Sequence, residues 1–137
     1  MSYSQFYGRL QNWRLQAAGT LKDLFGLSSN RLYLLAILII QGASWWLATY
    51  VFRAIAGNVL ILHYNVDFGI DLIGAPNLIF YFPSLGMLFL VLSLIALLIL
   101  GSGRNFKIQS HFLLGGAVLS NLGVLSALVL IYLMNFR

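Results

Sequence analysis

Residues 32–52 read LYLLAILIIQGASWWLATYVF. No charge interrupts the run, and its length matches the roughly 20 apolar residues a helix needs to cross a bilayer's hydrocarbon layer. Two later runs do the same: residues 77–100, NLIFYFPSLGMLFLVLSLIALLIL, and residues 112–134, FLLGGAVLSNLGVLSALVLIYLM. The rest of the 137-residue chain agrees, with 61% hydrophobic and 8% charged residues. A water-soluble domain carries roughly 25% charged residues, so this chain cannot cover a soluble surface. The expected fold is an all-α membrane protein with three transmembrane helices. An N-terminal amphipathic interfacial helix and a short β-like hairpin or extended extracytoplasmic loop complete it.

The first run is expected to be a retained span. Ala54-Ile55-Ala56 resembles a signal-peptidase site, but a signal's apolar region spans only about 7–15 residues. The division that follows is an interfacial helix over 1–30 and a three-span domain over 31–137. Its spans are 32–52, 77–100 and 112–134, with an outer loop 53–76 and an inner loop 101–111. There are no cysteines, which removes disulfides, thiolate metal sites and a cysteine nucleophile from consideration.

The distribution of Lys and Arg sets the orientation. Arg9, Arg14, Lys22 and Arg31 precede the first span, and Arg104 and Lys107 separate the second from the third. Only Arg53 and Arg137 fall on the other side. The expectation is a multi-pass membrane protein, N-terminus inside and C-terminus outside. Trp45, Trp46, Tyr50, Phe52, Phe80, Tyr81, Phe82, Tyr132 and Phe136 cluster near the expected outer face, where an aromatic belt belongs. The net charge of +5 is too dispersed for a nucleic-acid surface, so the expected partner is the lipid bilayer.

In the N-terminal segment Phe6, Leu10, Trp13, Ala17, Leu21 and Leu24 recur at helical spacing and make one apolar stripe. Gln5, Arg9, Asn12, Gln16 and Asp23 fall on the other face, and Arg14 and Lys22 flank the stripe, where their stems can snorkel. Such a helix suits the plane of the membrane surface. Phe6, Arg9, Leu10, Trp13, Arg14 and Lys22 are its expected surface-binding residues. Leu27–Asn30 reads as a turn, with Ser29 or Asn30 capping the first span.

The spans themselves hold no Asp, Glu, Lys, Arg or His. Such groups mark proton relays and ion paths, so a secondary transporter or proton channel is disfavoured. Gly116, Ser120, Gly123 and Ala127 form a small-residue stripe that admits a second helix closely, either another span or another subunit. Gln41 and Asn121, both near mid-span, are expected to pair. Pro83 lies in the first turns of the second span, where proline is tolerated. The G-x-G of the inner loop lacks a strand, a third glycine and a Walker Lys-hydroxyl pair, so it reads as a basic turn. His111 reads as an interfacial residue.

The outer loop carries residues 62–74, LHYNVDFGIDLIG, with two of the chain's three carboxylates. Alternation places His63, Asn65, Asp67 and Asp71 on one parity and Leu62, Tyr64, Val66 and Phe68 on the other. One imidazole and two carboxylates form a possible zinc or non-haem iron set, and Arg53 is the nearby cation for either Asp. The stretch HYN-x-x-FGIDLIG, with a proline and two apolar spans after it, resembles a group of small membrane proteins of candidate phyla radiation (Patescibacteria) bacteria. The likeness covers about residues 59–134 and rests on His63, Tyr64, Asn65, Phe68, Gly69, Asp71 and Gly74. In that group the pattern reads HYNVYFGIDLIG, so Asp67 stands at an aromatic position, and Ala75-Pro76-Asn77-Leu78 replaces an aromatic pair. The resemblance implies architecture and provenance. It removes Asp67 from the shared set and leaves His63 and Asp71 as the candidates for chemistry.

The functional expectation is an accessory or scaffold membrane protein acting through helix–helix and outer-loop contacts, with no catalytic residue, cofactor or metal assigned. The alternatives are a homo-oligomeric pore or lipid- and envelope-handling protein, and a membrane metalloenzyme using His63 and Asp71.

Overall fold

The computed structural model of the chain describes residues 3–55, 59–65, 67, 69–101, 103 and 105–136, and only the backbone of residues 3–6, 64, 65 and 71. Four helices and one hairpin follow in order: α1 (Tyr3–Gly26), α2 (Ser28–Ala54), β1 (Leu60–Asn65), β2 (Gly69–Gly74), α3 (Tyr81–Leu100) and α4 (Phe106–Phe136). A short 3₁₀ helix, Pro76–Phe80, leads into α3. Three segments are long and apolar enough to cross a membrane: Ser28–Ala54, Pro76–Leu100 and Phe106–Phe136.

Each span lies where the apolar run places it, with corrected ends. The helix of the first span starts at Ser28, so neither Ser29 nor Asn30 caps it. Leu27 alone separates α1 from α2, in extended conformation and without a side-chain cap. Its carbonyl accepts the amides of Asn30 and Arg31 at 3.1 and 3.3 Å, so the backbone does the work assigned to a side chain. The expected inner loop 101–111 shrinks to 101–105, because α4 begins at Phe106. Phe106, Ser110 and Leu114 are all buried. Their four-residue spacing makes a helical stripe that continues the core beyond the apolar run.

Two apolar clusters fill the bundle. One joins Ala48 and Val51 of α2 and the Ile55 that follows it to Val124, Leu128 and Ile131 of α4, and includes Leu60 of the hairpin and Ile79 of the 3₁₀ helix. The other joins Leu24 of α1 to Leu97 of α3 and to Phe106 and Leu114 of α4. A polar contact among Gln41, Gly86 and Asn121 lies between them.

Heights measured from that contact explain where the hairpin sits. At about 1.5 Å per residue, α2 extends about 20 Å from Gln41 to Ala54, whereas α3 extends only about 8 Å from Gly86 to Tyr81. The α-helical part of the second span is therefore short on that side, and the 3₁₀ helix Pro76–Phe80 continues it. The 3₁₀ helix and the hairpin occupy the space above it, which is why Leu60 and Ile79 are buried in the bundle core. The hairpin rests against the C-terminal halves of α2 and α4.

Candidate functional site

Sequence places Gln41 on α2, Pro83 and Gly86 on α3 and Asn121 on α4, and packing brings them together. The Gln41 Nε2 donates to Asn121 Oδ1 at 2.7 Å and to the Pro83 carbonyl at 3.2 Å. Asn121 Nδ2 donates to the Gly86 carbonyl at 3.2 Å and to the Ala117 carbonyl at 2.8 Å. The expected pairing of Gln41 and Asn121 is thus formed. Gly86 is the residue that allows it. A methyl at its Cα would stand 2.6 Å from both Gln41 Nε2 and Asn121 Oδ1. Three helices are cross-linked by amide groups in a setting that offers few alternative partners. Gln41 Oε1 and both side-chain polar atoms of Asn30 are buried with no hydrogen-bond partner among the described residues.

The small-residue stripe lies elsewhere. The buried face of α4 is Phe106, Ser110, Leu114, Ala117, Asn121, Val124, Leu128 and Ile131. Gly116 and Gly123 are exposed, Ser120 and Ala127 half-buried. A methyl built on Gly116 or Gly123 meets nothing within 4 Å. The reading that the stripe seats the first or second span is therefore corrected. Large apolar side chains supply the internal contact, and the glycines point outward.

The hairpin is held by a residue the sequence reading passed over. Asn135, in the last turn of α4, bonds to both backbone groups of Ile61: its Oδ1 accepts the Ile61 amide at 3.0 Å and its Nδ2 donates to the Ile61 carbonyl at 2.8 Å. One side-chain amide thereby imitates a neighbouring strand. The clamp gives the Ile61 amide and carbonyl, on the β1 edge away from β2, partners on α4. The only sequence signal was a lone Asn at the end of an apolar run.

Within the hairpin β1 and β2 pair antiparallel, from Leu60↔Gly74 to Asn65↔Gly69. Two register irregularities skip Leu62 on one strand and Asp71 on the other, so the simple alternation does not persist along the strands. Gly69 closes the turn at φ 77, a left-handed conformation that favours glycine. Gly74 packs so closely that an added methyl would run into Leu78 and Leu62. These two motif residues shape the backbone. His63 and Asp67 are exposed. Phe68 lies outside the described residues, as do the side chains of Tyr64, Asn65 and Asp71. Among the described residues no three His, Asp or Glu side chains gather into a metal-ligand group.

Aromatic side chains pack together at the C-terminal ends of α2 and α4. Trp45 and Phe52 pack on Phe80 at 6.1 and 5.3 Å, and Tyr50, Tyr132 and Phe136 pack together at 5.0–6.2 Å between ring centres. At the opposite end His111 Nδ1 lies 3.2 Å from the Tyr33 hydroxyl, with the rings edge to face. His111 is thus a partner of α2, on a helix and not in a loop.

The helix α1 sits at that same end. Thr20 and Leu24 are buried, and Gln16 Nε2 reaches the Ile99 carbonyl at 3.4 Å. Gln16, read as part of the polar outer face, instead turns toward the bundle. Leu10, Trp13 and Leu21 of the apolar stripe are exposed, together with Tyr7 and Phe25. Arg9, Arg14 and Lys22 are exposed beside them. The side chain of Phe6 is outside the described residues, as are Arg104 and Arg137.

Comparison of the chain with protein-family models, curated proteins and solved structures finds no match.

Proposed function

We propose that this protein is a membrane-embedded scaffold that presents its β-hairpin to a partner protein at the outer leaflet. The observation that carries the reading is the hairpin itself. Among the described residues β2 has a single strand neighbour, β1, and its other edge is open to a further strand. Ile70, Leu72 and Ile73 of the same strand are more than half exposed. An edge strand with apolar side chains is a template for strand addition by a second chain. The Asn135 clamp, the 3₁₀ helix and the amide contact below hold that edge still, which lowers the ordering cost of binding.

Orientation follows the positive-inside rule. Arg9, Arg14, Lys22, Arg31 and Lys107 belong to the end of the bundle where α1 packs on α3 and α4, and this end is assigned to the cytoplasm. There α1 lies along the membrane surface, its exposed apolar residues toward lipid and its cations toward anionic headgroups. A bacterial cytoplasmic membrane is the setting inferred from the resemblance of the outer motif.

A photo-crosslinking residue at Leu72, introduced into the protein in its native membrane, tests the scaffold reading. A defined adduct with one other protein is expected, and it should weaken when Asn135→Ala frees the hairpin. Adducts with lipid alone would refute the reading. The outward position of Gly116 and Gly123 favours a second reading, self-association through α4, with any pore lying between copies. Native mass spectrometry in mild detergent distinguishes it, because a purely monomeric species excludes the pore.

A further inference from the structure

We propose that the outer half of α2 is a binding site for an anionic glycerophospholipid of the outer leaflet, separate from the partner edge of the hairpin. A groove of about 340 Å³ lies along α2, lined by Trp46, Thr49, Tyr50, Arg53 and Ala54. Helical spacing brings Trp46, Tyr50 and Arg53 onto one face. Further down that face Gly42 and then Ile39 follow, both exposed. The face therefore runs from cation to aromatic to glycine to aliphatic. A phospholipid presents the matching order: phosphate, glycerol and ester, then acyl chain.

The dimensions agree. Arg53 and Ile39 are 14 residues apart, about 21 Å along a helix, which is half of a bilayer of about 40–45 Å with its headgroups. The Arg53 guanidinium supplies charge-assisted hydrogen bonds to a phosphate. Its full charge outweighs the roughly half-unit negative charge of the α2 C-terminus. The bare methyl-free surface at Gly42, where an added Cβ meets nothing within 4 Å, leaves room for an acyl chain beside the indole.

The ring geometry builds no cage for a choline headgroup, so the preference rests on the net charge of the lipid facing Arg53. Trp46 and Tyr50 lie nearly parallel, 19° apart with centres at 5.9 Å. Each ring offers one face to the other, so they do not splay into a cage that would bind a quaternary ammonium by cation–π attraction. Charge recognition is left to Arg53. The Thr49 hydroxyl donates to the Trp45 carbonyl at 2.8 Å.

The test uses the full-length chain with Trp13→Phe and Trp45→Phe, which leaves Trp46 as the one indole. The protein is placed in phosphatidylcholine vesicles that carry brominated phosphatidylglycerol or, separately, brominated phosphatidylcholine. Brominated phosphatidylglycerol is expected to quench Trp46 more strongly at equal mole fraction. Arg53→Gln should reduce that preference about tenfold, the effect of one charge-assisted hydrogen bond, and Arg53→Lys should keep part of it. Arg31→Gln, at the other membrane face, should leave it unchanged. Equal quenching by the two lipids, preference for the choline lipid, or an Arg53→Gln protein indistinguishable from its parent would each overturn the site. Native mass spectrometry of the unaltered chain with both lipids is the second readout. Retained phosphatidylglycerol that Arg53→Gln releases supports the site, and a dimer with no lipid adduct counts against it.

Discussion

Gly86 carries more of the structure than its size suggests. Its missing side chain is what lets Gln41 and Asn121 meet over the backbone of α3. Gly86→Ala should cost about 1–3 kcal/mol by overpacking, read as a lowered thermal midpoint in detergent. The pair itself is testable by a double-mutant cycle with Gln41→Leu and Asn121→Leu. A coupling of about 1 kcal/mol is expected, the scale measured for hydrogen bonds between membrane helices. Independent effects would show that each amide acts through its own backbone contacts. Asn135 acts at a different level. Asn135→Ala orphans the Ile61 amide and carbonyl, at a cost of about 1–3 kcal/mol. Faster hydrogen exchange at Ile61, with little change in the helices, is the expected signature.

Among the elements, the hairpin and α4 make opposite predictions. The turn of the hairpin depends on Gly69 at φ 77. Gly69→Ala forces an L-residue into the left-handed region, at about 1–2 kcal/mol, and should loosen β2 while the three spans stay folded. Far-ultraviolet helix content is then unchanged and protease sensitivity near residue 67 rises. By contrast, Gly123→Leu adds bulk to an outward face with open space around it. Monomer stability should move by no more than about 0.5 kcal/mol. Any loss of self-association in that variant assigns the stripe to contacts between copies.

For the whole molecule, the prediction concerns sidedness. The absence of cysteine makes single-cysteine labelling direct. Asp67→Cys should react with an impermeant maleimide added outside intact cells, and Gly103→Cys only after permeabilisation. The reverse pattern would invert the orientation and with it the assignment of the hairpin to the outer face. The two apolar clusters on either side of the amide contact account for a bundle whose spans share few polar anchors. Their side chains dominate the packing, while the amides select which faces meet.

Much of this arrangement was legible in the chain. Uninterrupted apolar length marks the three spans, because any exposed backbone or charge in hydrocarbon is costly. Gln41 and Asn121 were legible for the same reason, as amides at similar depth with few other partners. The outer motif was legible only as a short hairpin or an extended loop, through its glycines and β-branched residues, and the structure pairs it as a hairpin. The facing surfaces were not. A helix that is apolar all round offers no stripe to read, so only packing showed that Leu114, Asn121 and Leu128 face inward while Gly116 and Gly123 face out. The Asn135 clamp and the seating of Leu60 and Ile79 in the core arise from chain segments far apart in sequence. The sequence by itself determined that this chain spans a bilayer three times, since that follows from apolar length and local charge. The tertiary structure decided which side chains meet, and so placed the hairpin beside the C-terminal ends of α2 and α4, since that depends on volumes and distances between helices.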